Sequence, residues 1–377
     1  MKIALFSPGI ISPKFGATKN RIELAEALTK LGWQTSVMGN LDIGLPNRNV
    51  EKSTYREAFK TYLIKNAHLY DVVLYEYDTL PYNRTLFSKG TLFVARPALL
   101  SYHFDEIRIP LNLKSYISAL IRQSAKKRRK NYNYIELTLS QSDLIQVQNT
   151  EDKKCLIKKG HPEDKIIIIP NGILPEKLEL FKRTPKISGT KKIAFVGTFD
   201  FRKGALDFPI LLKLLSRLGN PNAKIKLLGT KGLYSTQQQI LGFFPKKLQH
   251  LIEIHPTFEP SELPALLSDC QVGVFPSYLE SFGYGALEMM AAGLPVVGYD
   301  TPGPCDFLLP ELKVPAGNTL LMAQKLNKLL NEPAYLEKMG IQAQKQVDKY
   351  NWDTIALEVS KTYEYRKSQL INGSLVK

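Results

Sequence analysis

No stretch of about 18 uninterrupted apolar residues occurs in this 377-residue chain, and a helix needs roughly that length to cross a bilayer. A transmembrane helix is therefore not expected. Cysteine is scarce: Cys155, Cys270 and Cys305 stand far apart, without metal-type spacing or the density of a disulfide framework. A reducing, cytoplasmic setting fits that usage. No Asp-x-Asp motif near a strand end suggests a metal, and no alternation of basic and aromatic residues suggests nucleic acid. The opening MKIALFSPGIISPKFG has an apolar run broken by Pro8, Gly9 and Pro13, which reads as a first strand rather than a secretory signal. Acidic residues are also in deficit. The net charge is +16, of which +11 falls in residues 1–185. A basic half points to an anionic partner, whether nucleotide, phospholipid surface or nucleic acid, and charge alone does not choose among them.

What is present is a globular composition, 44% hydrophobic and 23% charged, in a chain long enough for two domains. Short runs rich in β-branched residues alternate with stretches of helical period. Strands are predicted at Ile3–Ser7, Thr35–Met38, Val72–Tyr77, Thr91–Ala95, Leu144–Gln148 and Lys165–Ile169. A helix is predicted over Asn20–Gly32, with Ile22, Leu24, Ala25, Leu28 and Leu31 on one face. A polar stretch with Pro185 and Gly189 then reads as a linker, and the alternation restarts. Strands follow at Lys192–Val196, Lys224–Leu228, Ile252–His255, Val272–Phe275 and Pro295–Tyr299. Helices are expected at Leu206–Leu218, Ser261–Ser268, Gly285–Ala292, Asn318–Leu330, Pro333–Lys349 and from Trp352 to about Arg366. The expected fold class is α/β: two doubly wound Rossmann-like domains in tandem, facing across a cleft, with ligands outside the carboxyl ends of the strands.

The segment with the most chemistry runs from Val272 to Gly293. An apolar strand ends at Pro276-Ser277, then come Glu280, Ser281, Phe282, Gly283, Tyr284 and Gly285, and a helix carrying Glu288. Glycines let backbone approach a ligand, and the free N–H groups and positive end of a helix suit phosphate. A carboxylate a turn inside, Glu288, can accept from ribose hydroxyls, and Glu280 from sugar hydroxyls. The same pattern also fits a plain strand–turn–helix whose glutamates only favour the helix start.

PSYLESFGYGALEMMAAGLPVV resembles the Glu-x7-Glu motif of retaining glycosyltransferases of family 4, which have the GT-B fold. The resemblance extends to IIIIPNGI (Ile166–Ile173), to VGTFDFRKGALDFPILLKLL and to the segment at Trp352, and is weakest from about 40 to 130. It implies an acceptor-binding domain over 1–185, a nucleotide-sugar domain over 186–350 and a closing helix over 351–377 that packs back on the first. By the same resemblance Glu288 holds ribose, Glu280 contacts the donor sugar, and backbone amides near Phe282–Tyr284 hold the diphosphate. Lys203, before Gly204, neutralises it, and Gly16 lies in the first strand-to-helix loop, near donor phosphate and acceptor. Two positions depart from the family. Its second basic residue, directly after the strand glycine Gly197, is replaced by Thr198, with Arg202 the nearest substitute. Its early histidine is replaced by Pro97-Ala98-Leu99, and the first histidine after them is His103. Either a longer loop returns His103 to the site or that role is empty.

The expected function is retaining transfer of a sugar from a UDP- or GDP-sugar to a hydroxyl on a glycan or lipid-linked acceptor, in cell-surface glycan or glycolipid synthesis, with no metal or resident cofactor. Two other readings stay open: a non-catalytic glycan-binding or partner subunit, and a sugar-nucleotide epimerase. Asn171-Gly172 reads as a turn device. The run Lys126–Lys130 follows Tyr116, Ile117, Leu120 and Ile121, spaced about a turn apart. It reads either as a solvated helix face or as a peripheral contact with an anionic membrane on its cytoplasmic side.

Overall fold

The computed structural model describes residues 1–12, 16–111, 125–187, 189 and 191–373, with backbone alone at 16–17 and 125–130. The chain divides into two compact units. The first takes Met1–Leu100, Tyr116–Gly172 and Trp352–Lys377; the second takes Ser101–Ser115 and Ile173–Asn351.

The first unit is built on β1 (Lys2–Phe6), β2 (Gln34–Met38), β3 (Val72–Tyr75), β4 (Leu92–Ala95), β5 (Leu144–Val147) and β6 (Ile166–Ile168). They form one sheet in the order β2-β1-β3-β4-β5-β6, every neighbouring pair parallel. Residues Val72–Leu74 and Leu92–Ala95 are fully buried, as expected for strands covered on both faces, and this is why they read as continuous apolar runs. The helix Trp352–Ile371 packs on helix Gly16–Lys30. Its indole at Trp352 donates Nε1–H to Glu23 Oε2 at 2.9 Å, and Trp33 donates Nε1–H to Ser360 Oγ at 3.0 Å. Leu31, expected on the buried face of the first helix, lies beyond its end and is exposed.

The second unit repeats the plan with β7 (Lys192–Val196), β8 (Lys224–Leu228), β9 (Ile252–His255), β10 (Val272–Phe275), β11 (Val296–Tyr299) and β12 (Lys313–Val314). Their order is β12-β11-β10-β7-β8-β9, again parallel throughout. Helix Asp207–Arg217 buries Phe208, Leu211, Leu212 and Leu215 on one stripe, and Gly219 at φ 93° ends that segment. Helix Thr319–Asn331 begins where the Asn318 side chain accepts from Leu321 N at 3.0 Å. In both sheets the strand order reverses beside the unit's first strand. In the second sheet the reversal falls between β7 and β10, the position at which ligands bind in sheets of this kind. No described helix is long and apolar enough to cross a membrane. Lys126–Lys130 lie on helix Ala125–Gln141, whereas Tyr116, Ile117, Leu120 and Ile121 fall outside the described residues.

Candidate active site

The loop after β7 is organised by Asp200. Its Oδ1 accepts from Lys203 N at 2.9 Å, and its Oδ2 accepts from the Thr198 hydroxyl at 3.2 Å. Thr198 thus holds the loop through Asp200. Gly204 follows at φ 81°, a region costly for any residue with a Cβ. A Cβ there would stand 2.4 Å from the Pro276 carbonyl oxygen, so glycine is also what allows the loops after β7 and β10 to touch. Tyr278 N donates to Arg202 O at 2.8 Å and ties the two loops together.

Three charges meet on these loops. Lys203 Nζ pairs with Glu280 Oε1, and Arg202 Nη1 lies 3.3 Å from Glu280 Oε2. Arg202 also donates to Leu279 O at 2.6 Å. The ammonium of Lys203 stands 5.3 Å from the centroid of Phe275, a ring face that favours a cation. Glu280 is only 7% exposed. Burial pushes its pKa up, but the adjoining Lys203 and Arg202 outweigh burial and hold the carboxyl below the usual range. Lys203 and Arg202 stand on these loops with two carboxylates, Glu280 and Asp200, so the charges balance, and an anion would be drawn by where the two cations are placed rather than by a net charge.

The same loop after β10 runs into helix Tyr284–Ala291 through Gly283, at φ 96° and ψ 50°. A Cβ on Gly285 would lie 1.9 Å from the Val196 carbonyl oxygen, so the first turn of this helix is pressed against the end of β7. Phe282 is buried, with ring centroids of Tyr284, Phe307 and Tyr350 at 5.2, 5.4 and 5.9 Å. Its side chain is therefore an anchor in the core, and only its backbone is left for a ligand. The result is a helix start, two cations and a buried carboxylate gathered where the sheet order reverses.

Comparison with known proteins bears directly on this unit. Residues 176–346 match the model of the family Glycosyl transferases group 1. The match lies within the second unit and covers less than half of the chain. An uncharacterized glycosyltransferase of Methanocaldococcus jannaschii is 29% identical over 219 residues, covering 54% of this chain and 55% of the relative. A glycogen synthase of Mycobacterium tuberculosis is 26% identical over 206 residues, covering 52% and 48%. The chain spans about half the length of these curated relatives. Among solved structures, sucrose-phosphate synthase from Thermosynechococcus elongatus superposes with a TM-score of 0.75 at 19% identity, over 97% of this chain and 98% of that one. The Anabaena protein HepE, solved in complex with UDP, gives 0.65 at 14% identity over 97% and 100%. At such identities the likeness is one of fold: two Rossmann-like units of the GT-B class.

The residues expected from the sequence fall as follows. Arg202, Lys203 and Glu280 are in contact. Ser281 is half-buried on the same loop, and Glu288 is half-buried one turn into the helix. His103 is buried in a short 3-10 turn, Ser101–Asp105, in the segment that groups with the second unit. Gly16 does not lie in a loop; it is the first residue of helix Gly16–Lys30 in the first unit. Asn171-Gly172 is not a left-handed turn, since Gly172 has no positive φ. Asn171 Oδ1 instead accepts from Arg96 Nη2 at 2.5 Å, and a Cβ on Gly172 would meet Trp352 N at 2.9 Å.

Sequence reasoning missed a second polar centre, at the carboxyl ends of β3 and β4. Arg96, 1% exposed, also donates to Asn20 Oδ1 at 2.9 Å. Arg21 Nη2 lies 3.2 Å from Glu76 Oε2, and Ala98 N donates to Glu76 Oε1 at 2.7 Å. Burial raises the Glu76 carboxyl, against the lowering effect of Arg21. The available signal was a charged residue directly after each apolar run, VVLYE and TLFVAR.

Asp207 of the second unit was also missed. It opens helix Asp207–Arg217 and is 6% exposed. Oδ1 accepts from Tyr278 Oη at 3.3 Å and Thr319 Oγ1 at 3.2 Å, while Oδ2 has no hydrogen-bond partner among the described residues. Burial raises its pKa despite the hydroxyl donors. A raised carboxyl contributes stability that is complete below the unfolded pKa and lost as pH rises through the folded one. Asp207→Asn should therefore raise the melting temperature at pH 7, by about 1 kcal/mol of stability, with the gain shrinking as pH falls toward the carboxylate range. Melting curves of both proteins across that range check this; a variant less stable at neutral pH would contradict it.

Proposed function

We propose that the chain is a nucleotide-sugar-dependent glycosyltransferase that retains anomeric configuration, moving a sugar from a UDP- or GDP-sugar to a hydroxyl of a glycan or lipid-linked acceptor. The observation that carries this reading is the convergence of Arg202, Lys203 and Glu280 beside the Gly283 helix start, at the strand-order reversal of the unit that the group 1 model matches. HepE, solved with UDP, has the same fold and supports UDP as one donor base to test. In this reading the bond from the sugar's anomeric carbon to the diphosphate oxygen breaks as the acceptor oxygen bonds to that carbon, and the acceptor's hydroxyl proton passes to the departing diphosphate. Negative charge grows on the departing diphosphate, and fixed cations placed where charge develops lower the barrier most. Lys203 and Arg202 supply them, with the amides of Phe282–Tyr284 and the helix dipole behind. Glu280 receives sugar hydroxyls and Glu288 the ribose. His103 serves the donor sugar. No resident cofactor is needed for this chemistry. The basic run Lys126–Lys130 would keep the enzyme on the cytoplasmic face of an anionic membrane, in synthesis of surface glycans or glycolipids.

Incubation with a panel of UDP-, GDP- and ADP-sugars tests the reading. Release of nucleoside diphosphate, with an anomerically retained product seen by NMR, is the expected result. Interconversion of sugar nucleotides would make the protein an epimerase, and binding without turnover a partner subunit. In the same assay His103→Ala should cut turnover about 10²-fold or more, as loss of a group at the reacting centre does; unchanged turnover would remove His103 from the mechanism.

A further inference from the structure

The reversal of strand order in the first sheet, between β1 and β3, has a cavity of its own. Gly9 follows β1, Asn40 follows β2 and Asp78 follows β3, and together with Asn49, Lys52 and Tyr55 they line a space of about 190 Å³. An apolar cavity of about 150 Å³ holds benzene, so this one is large enough for a single six-membered ring. Its polar groups divide in two. Asn40 is used up by the protein: Oδ1 accepts from Gly9 N at 2.8 Å, and Nδ2 donates to Arg48 O at 2.7 Å. It builds the wall. Asp78 and Tyr55 are not used up. Asp78 is 5% exposed; its Oδ2 pairs with Lys52 and lies 4.0 Å from Arg56 Nη2, while no hydrogen bond reaches Oδ1 among the described residues. Tyr55 is 4% exposed, and its hydroxyl is buried with no hydrogen-bond partner among the described residues.

A buried hydroxyl left unmatched costs about 1–3 kcal/mol, and nothing in the packing of Tyr55 against Phe59, at 5.6 Å, requires it. Phenylalanine would make the same ring contact. We infer that this cavity is a binding site for one saccharide ring, whose hydroxyls donate to the open oxygen of Asp78 and exchange a hydrogen bond with Tyr55, with Asn49 and Lys52 at the rim. That the ring belongs to the acceptor rests on the glycosyltransferase reading; that a ring binds does not.

Saturation-transfer NMR on the full chain, with methyl glycosides of glucose, galactose, mannose and N-acetylglucosamine and with glucuronic acid, tests the inference. At least one should bind, and Tyr55→Phe should weaken it about tenfold, the equivalent of one hydrogen bond. The same variant should melt at the same temperature or higher, because it removes an unmatched hydroxyl. A purely structural tyrosine would show the reverse pattern, lower melting and unchanged binding. Asp78→Asn should also lose the sugar; if it fails to fold because Arg56 is left unpaired, Tyr55→Phe decides. Binding of none of the five sugars, or equal binding by wild type and Tyr55→Phe, would overturn the inference. A UDP and GDP titration run alongside separates it from the donor-site reading, since loss of nucleotide binding speaks against the second unit's role and leaves the sugar result standing.

Discussion

Lys203→Ala is expected to lower turnover of the nucleotide sugar about 10²–10³-fold, the range found when one preorganised donor to a developing negative charge is removed. Lys203 also pairs with Glu280, so a loss of activity alone would not separate chemistry from structure. Removing one partner of a buried pair leaves the other charge stranded and costs about 3–5 kcal/mol when no second partner remains. Here Arg202 stays 3.3 Å from the carboxylate, which moderates that penalty. The double variant Lys203→Ala/Glu280→Gln removes the stranded charge altogether. Glu280 is itself placed at the donor sugar, so Glu280→Gln alone is the reference, and a merely structural lysine predicts that the double variant turns over no more slowly than that single variant. The account predicts recovered thermal stability with turnover still depressed below that reference, and Lys203→Arg, which keeps a cation at the position, should retain more activity than Lys203→Ala or the double variant. Steady-state kinetics beside melting curves decide between the two.

The second large effect is expected from a single methyl group. In Gly285→Ala the new Cβ would lie 1.9 Å from the carbonyl oxygen of Val196, whereas carbon–oxygen contacts settle near 3.3–3.6 Å. Both partners are backbone, so no flexible side chain can yield, and helix Tyr284–Ala291 must move away from β7 by roughly 1.5 Å by that comparison. Alanine is the better helix former by about 1 kcal/mol, but overpacking costs typically 1–3 kcal/mol or more. Packing should win. A lower melting temperature is expected together with a loss of nucleotide affinity, because a displacement of about 1 Å in a positioning element can cost about 10²-fold. Thermal melts and nucleotide titrations of the variant check both; a variant that binds as wild type would mean the helix start does not contact the phosphates.

Much of this was legible in the residues, for physical reasons that differ from place to place. β7, β8, β9 and β10 begin and end where the sequence predicts: β7 and β10 are apolar runs bounded by polar or turn residues, while β8 and β9 interleave Ile with Lys226 and Glu253. β12 has two residues, too few to show a period. Helix Lys52–Asn66 escaped notice because its buried stripe of Tyr55, Arg56, Phe59 and Leu63 contains an arginine, which sits over the Tyr134 ring at 3.8 Å. The convergence of Lys203 and Glu280 was implied by motif and resemblance, and the chain places both on loops flanking the strand reversal. What could not be read was anything set by the approach of one element to another. The contact of Gly285 with Val196, the Gly204–Pro276 contact and the Arg96–Asn171 bond each join residues more than 70 positions apart. Thr198 was read as a missing cation; its hydroxyl instead steadies Asp200 and through it the Lys203 turn.

Calorimetric titration of UDP and GDP into the wild-type protein and Lys203→Ala tests the central claim most directly. The account predicts that at least one nucleotide binds wild type with one-to-one stoichiometry, and that the variant binds it about tenfold more weakly or worse, the loss of a charge-assisted contact. Equal affinity in the two proteins, or no binding of either nucleotide, would contradict a diphosphate site at Lys203 and Arg202.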